Sequence, residues 1–260
     1  MTKSKLSQYL KFPRANNKLK LLAKALGLKY AYCYSLDTLA GSTCPMAKDC
    51  LGEKFRCYAK SLETAFPLTY AAHYHNTTLL RGCQSPWEVC QLVLASIPPR
   101  TKIIRIGSSG DIESLTILLG YYWAIRQTPH IRWYGYTKSI GLFLTLIEDY
   151  MSPQERDQVD LPNGRILPNW AMTASRGGKQ DNLIDKTGWR YAEVVPTASQ
   201  ANQVVNHNDI PAYTFGGSFS LVVHGIQKAG TELAKLHHIH IKNTAKLNKK
   251  KRLTRHTKNV

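Results

Sequence analysis

Residues 102–111 read KIIRIGSSGD, a short apolar run that passes without a spacer into a glycine- and serine-rich turn ending in an acid. Near-continuous isoleucine of this kind is the habit of strands buried on both faces, as in parallel sheets. Apolar residues then recur at helical spacing to about Gln127, and IRWYGYT at residues 131–137 supplies another strand. A further helix runs through LFLTLIEDYM at residues 142–151. Upstream, KYAYCYSL at residues 29–36 is a tyrosine-rich strand that runs into the loop DTLAGSTCPMAKDCLGEKFRCYAK, and residues 61–97 hold helical patterns. Strands separated by long helical crossovers pair in parallel, because the chain must return before each new strand begins. Three more strand candidates follow in WAMTAS, YAEVVPT and SLVVHG. The expected fold class is α/β, a partial or complete parallel α/β barrel-like sheet with flanking helices.

Local signals punctuate this frame. Asn16 or Asn17 can cap a helix bearing Leu19, Leu22, Ala23 and Leu26, with Gly27 placed to end it. Ser85, Pro86 and Glu88 have the pattern of a capped helix start, and Pro98 with Pro99 stops that helix. No internal repeat or linker is visible, so residues 1–241 are expected to form a single α/β domain with a cysteine-rich loop at 37–60, followed by a basic, disordered tail at 242–260.

The chain carries 35 Lys and Arg against 17 Asp and Glu, a formal charge of +18, well beyond what solubility asks for. A polyanionic partner, nucleic acid above all, is the leading explanation. Much of the excess lies in the tail KNTAKLNKKKRLTRHTKNV, which cannot pack a core and is expected to order only on phosphate; a solvated solubility tail is the plainer alternative. HHIHIK at residues 237–242 reads as basic surface rather than as a metal site. The start, MTKSKLSQYLKFPR, lacks the apolar run of a secretory signal, and no stretch is apolar enough to span a bilayer, so an intracellular protein without membrane contact is expected.

Six cysteines in 260 residues do not suggest a disulfide scaffold, since those are short and cysteine-dense. Three of them, Cys44, Cys50 and Cys57, share the loop after the first strand. Three thiolates from one loop can wrap one metal centre. Structural zinc normally takes four ligands in paired short spacings, whereas three cysteines leave a position open, as suits a four-iron cluster or a zinc completed from elsewhere. Cys83, His73 or His75 can supply a fourth ligand; the plainer reading makes Cys33, Cys83 and Cys90 small apolar core residues.

Two strand ends join this loop if the sheet is parallel, because trailing loops then gather at one mouth. Gly107, Ser108, Ser109 and Gly110 form a turn whose N–H groups can approach a ligand, with Asp111 and Glu113 able to grip an amine or hydroxyl; the alternative is that Asp111 merely caps the next helix. Thr137 and Lys138 follow the next strand, and Lys138 can meet a phosphate or carboxylate or simply face solvent. SRGGKQD at residues 175–181 is a flexible basic turn and a weak phosphate-binding candidate.

The stretch NNKLKLLAKALGLKYAYCYSLDTLAGSTCPMAKDC, with CYA, SSGD and YTKS after it, resembles the bacteriophage gene product 88 family, including a CP-x-A-x-x-C core. That resemblance implies a phage protein working in the host cytoplasm, and its cysteine loop suggests an iron–sulfur protein. A more distant likeness is to radical S-adenosylmethionine enzymes, which place three cluster cysteines after the first strand and a Gly-Glu-type turn after the second. The order matches here, although the spacing departs from their usual CxxxCxxC.

The sequence thus leads to an iron–sulfur protein, a 4Fe–4S cluster on Cys44, Cys50 and Cys57, and, if it is an enzyme, S-adenosylmethionine as cosubstrate and a nucleic acid or nucleotide as substrate. The alternative is a non-catalytic nucleic-acid-binding protein with structural zinc on the same cysteines. A basic virion or packaging component is a third possibility.

Overall fold

A computed structural model describes residues 8–14, 17–50, 54–223, 227–236 and 238. Six strands run parallel and pair in chain order: β1 (Cys33–Leu36), β2 (Ile103–Ile106), β3 (Arg132–Thr137), β5 (Trp170–Ser175), β6 (Tyr191–Val195) and β7 (Phe219–Val222). A short strand the sequence reading missed, β4 (Arg165–Leu167), lies antiparallel on the start of β5. The sheet does not close, since β1 and β7 are its two ends, an open arrangement compatible with a partial barrel.

Helix α1 (Asn17–Ala25) precedes the sheet, with Gly27 at φ +66° just beyond its end. Three helices, α2 (Tyr58–Ala65), α3 (Pro67–Gly82) and α4 (Pro86–Ser96), make the long crossover from β1 to β2. The break between α2 and α3 falls at Phe66, because Pro67 forces its predecessor out of the helical region. Ser85 caps α4 by accepting the Glu88 N–H, as its sequence signature predicts. Next come α5 (Leu115–Arg126), α6 (Ile140–Thr145), α7 (Pro153–Arg156), α8 (Asp181–Thr187) and α9 (Ile210–Tyr213).

Alternation along the strands sorts the core into two sides. Ile104, Ile106, Trp133, Trp170, Met172 and Ala174 pack outward with Val89, Val93, Leu118, Tyr122 and Phe143 of the covering helices. Gly120 lets α5 lie against α4, where a methyl group would sit 2.4 Å from Val89. Inward, Cys33, Ile103, Tyr134 and Ala171 meet Leu19, Leu22 and Ala23 of α1. This concave side also holds a buried charged knot. Arg105 Nη1 lies 2.8 Å from Asp209 Oδ2, Lys18 Nζ lies 3.5 Å from Asp209 Oδ1, and the Tyr134 and Tyr136 hydroxyls donate to the same carboxylate at 3.1 and 3.2 Å.

Candidate functional site

The loops after β1, β2, β3 and β5 meet at the C-terminal mouth of the sheet, where they wall a cavity of about 190 Å³. Its lining includes Cys44, Cys50 and Cys57 together with Gly107 to Asp111, Thr137 and Lys138. The residues singled out at these strand ends therefore reach one place, with the exception of Glu113. The histidine-rich stretch and the basic tail are a different matter: residues 242–260, and all of 237–242 except the exposed His238, lie outside the described residues.

The cysteine loop is pinned on three sides. At its start, Thr38 N–H donates to Ser109 O at 3.1 Å, and the Thr38 and Thr43 hydroxyls pair at 2.9 Å directly over Gly110. Gly110 adopts φ +75°, and a Cβ there would lie 2.1 Å from Thr38 Oγ1, so only glycine fits this turn. The crossover helices hold the loop through Leu39 N–H to Thr77 Oγ1 at 2.9 Å and Ala40 N–H to Glu63 Oε1 at 3.0 Å. The third anchor is the turn after β5. Lys48 and Asp49 N–H donate to Gly177 O, and Lys179 N–H donates to Met46 O at 2.8 Å. The glycine pair, only a weak phosphate candidate by sequence, docks the cysteine loop, and Gly177, at φ +87°, is close packed on Asp49. Arg176 is engaged as well, paired with Asp185 and stacked 4.1 Å over the Tyr191 ring.

Two of these residues have partners within the protein. Lys138 Nζ donates to Ser175 O at 2.9 Å, Ser175 Oγ at 3.0 Å and Arg176 O at 2.6 Å, so its three hydrogens are taken and it offers none to a phosphate. Asp111 neither caps the helix nor stands free. The cap of α5 is Ser114, and Asp111 accepts from Thr137 Oγ1, Lys138 N and Ile112 N, each at 2.8 Å. Glu113 is held by Arg81 at 2.6 Å, away from the cavity.

The thiols are electrostatically burdened. Burial, then the nearby Asp111 carboxylate, pushes Cys44 up to about 12, and burial also raises Cys50, against which the Lys138 ammonium acts. Charges on Cys50 and Cys57 would each raise Cys44 further, so the three sulfurs share one electrostatic field. Soft thiolate donors on one loop fit a metal or iron–sulfur centre in kind. As they stand, no three His, Cys, Asp or Glu side chains among the described residues are gathered closely enough to hold an ion. The fourth-ligand candidates lie elsewhere. Cys83 donates to Leu79 O and borders the outer core, Cys90 and Cys33 are buried core, His73 bonds Glu63, and His75 bonds Tyr9 O.

A family model described as Gene product 88 matches residues 6–251. The chain belongs to the Gene product 88 family. The match runs through the cysteine loop, the GSSGD turn and the whole described sheet, and so covers every residue that lines the cavity. No curated protein and no solved structure matches the chain. No helix among the described residues of this Gene product 88 protein is long and apolar enough to cross a membrane.

Sequence reasoning missed Asp37 and Glu63 and named His73 only as a candidate fourth ligand; the three form a buried polar group beneath the GSSGD turn. Asp37 had a usable signal, since it directly follows β1. Nothing in a single sequence pairs Glu63 with His73 and Ser109.

Proposed function

We propose that this Gene product 88 protein binds an iron–sulfur cluster, of the 4Fe–4S type, through Cys44, Cys50 and Cys57. One observation carries the reading: three cysteines of one loop wall a single cavity at the C-terminal end of a parallel sheet. Thiols raised this far by burial become thiolates readily only beside strong positive charge, and bound iron supplies it. Cys44, Cys50 and Cys57 would hold such a cluster and leave one iron without a protein ligand, which would supply a binding position for S-adenosylmethionine and, given an electron from an external donor, its reductive cleavage. The chain's own part is to keep the loop in register through Gly110 and Gly177, to hold the GSSGD turn beside the cavity, and to place the Lys138 charge next to Cys50.

The substrate of this reading is nucleic acid or a nucleotide. The net charge of +18 supports it, and so does the cysteine loop itself, which presents Lys48, Lys54, Arg56 and Lys60 on the exposed rim. Anaerobic purification and reconstitution test the reading. The expected result is a brown protein with iron and acid-labile sulfide, and loss of both in a Cys44→Ser, Cys50→Ser, Cys57→Ser variant but not in Cys83→Ser. Zinc without visible absorbance would favour the structural-zinc alternative, and no metal on any preparation would sink both.

A further inference from the structure

A second cavity, of about 270 Å³, lies beside the first and shares Tyr58, Ala59, Ser108 and Ser109 with it. The proposed cluster makes no use of its floor, formed by Asp37 and His73.

His73 sits on α3 with 5% of its surface exposed, and its two ring nitrogens have different surroundings. Nδ1 lies 2.7 Å from Glu63 Oε1, which also accepts the Ala40 N–H at 3.0 Å and the Ser109 hydroxyl at 2.8 Å. Burial alone would raise Glu63, but these donors outweigh it and hold the group below its ordinary range. An ionised Glu63 can only accept, so Nδ1 carries a hydrogen; an Nε2–H would close on the Asp37 carboxylate, and the open distance between them leaves Nε2 as the lone-pair nitrogen. That nitrogen stands 3.9 Å from Asp37 Oδ2, beyond hydrogen-bond reach, and no described residue hydrogen-bonds it.

Asp37 is 3% exposed and has no Lys or Arg partner among the described residues. Its Oδ1 accepts from Ser108 N at 2.7 Å, Ser108 Oγ at 2.6 Å and Ser109 N at 3.1 Å, and its Oδ2 accepts from Ser35 Oγ at 2.6 Å. A ring lone pair and a carboxylate oxygen therefore face each other with no donor between them. One nitrogen bearing several N–H groups, seated on the cavity side of the line joining these acceptors, can reach both at an ordinary length of about 2.7–3.2 Å. The buried carboxylate has no Lys or Arg within ion-pair distance among the described residues, Arg105 acting on it only at longer range, and so favours a positively charged nitrogen. Pro13, Leu62, Leu68 and Ala72 give the cavity an apolar wall against which an alkyl chain can lie.

We propose that this cavity binds a primary alkylammonium group, with its N–H groups directed at His73 Nε2 and Asp37 Oδ2. In a chain of net charge +18 such an acidic floor runs against the general field, so it is a local construction. The competing arrangement is an imidazolium that bridges Glu63 and Asp37 by itself. A charged Nε2–H would draw the Asp37 oxygen into a hydrogen bond, whereas the separation is 3.9 Å.

The test uses the full chain with nitrogen-15 histidine and two probes at matched ionic strength, ethylammonium chloride and tetramethylammonium chloride. The expected result is a His73 ring protonated at Nδ1 and bare at Nε2 near neutral pH. Ethylammonium then shifts the Nε2 resonance saturably, and tetramethylammonium, which has no N–H, does not. Asp37→Asn should weaken ethylammonium about tenfold or more, the effect of losing a charged hydrogen-bond partner. A protonated Nε2 in the free protein, an equal response to both cations, or undiminished binding by Asp37→Asn overturns the proposal. The comparison of cations on the wild-type chain decides the matter even if Asp37→Asn does not fold. Repeating it on the triple Cys→Ser variant separates this site from the cluster, since the ammonium response should survive there while iron is lost.

Discussion

The carboxylate of Asp111 accepts the backbone N–H of Lys138 at 2.8 Å and so fastens the turn after β2 to the end of β3. With the Thr137 hydroxyl and the Ile112 N–H on the same group, this acid is a strut between two walls of the cavity. Asp111→Ala strips several buried donors of their acceptor, at about 1–3 kcal/mol for each one left unpaired. Ser114→Ala removes only a helix cap, about 1 kcal/mol. Urea unfolding of the two variants should show Asp111→Ala as clearly the more damaging; equal losses would mean that the strut is not formed.

Gly110→Ala should destabilise by roughly 2–4 kcal/mol, because it adds a strained φ to a clash with the hydroxyl and carbonyl of Thr38. Gly27→Ala offers the control. It has a similar positive φ of +66° but open space around it, so only the backbone penalty of about 1 kcal/mol applies. For a chain of this size each kcal/mol moves Tm by about 2–4 °C, so calorimetry separates the two readily.

Asp209→Asn leaves Arg105 and Lys18 without their counter-charge on the concave side of the sheet. Loss of one partner of a buried pair costs about 3–5 kcal/mol. The effect should greatly exceed that of Asp185→Asn, which breaks an exposed, solvent-screened pair with Arg176. Denaturant midpoints of the two variants check this directly.

Acid should act through Glu63. Its folded pKa lies below the unfolded one, so the group stabilises the fold above the ordinary carboxylate range and loses that contribution as pH falls through the folded value. Glu63→Gln should therefore lower Tm most near neutral pH, and the gap to the wild-type chain should narrow as pH falls toward about 3. A gap that stays constant across this range would show that Glu63 does not stabilise as a carboxylate.

How far the site could be read in advance depended on the range of the interaction. Gly107 to Asp111 and Thr137 with Lys138 were legible because a parallel strand delivers its trailing loop to one mouth. The cysteine spacing was legible for the same reason, once β1 was placed. The partners of Lys138 were not, since Ser175 and Arg176 arrive from a strand 37 residues away. Nor was the dock at Gly177 and Gly178, whose sequence looks like any flexible turn.

By itself the sequence determined what repeats locally: a buried isoleucine run set a parallel strand, Ser85 and Pro86 set the start of α4, and the order of elements set an α/β sheet whose trailing loops gather at one mouth. Strand direction and helix capping depend on neighbours a few residues away, which a sequence displays. Only the tertiary structure decided that the sheet stays open, that Asp111 and Lys138 are spent on holding the walls, and that Glu63, His73 and Asp37 face one another beneath the turn. Those outcomes rest on hydrogen bonds between groups brought together by different crossovers, and one chain read in order carries no record of which distant donor will meet which acceptor.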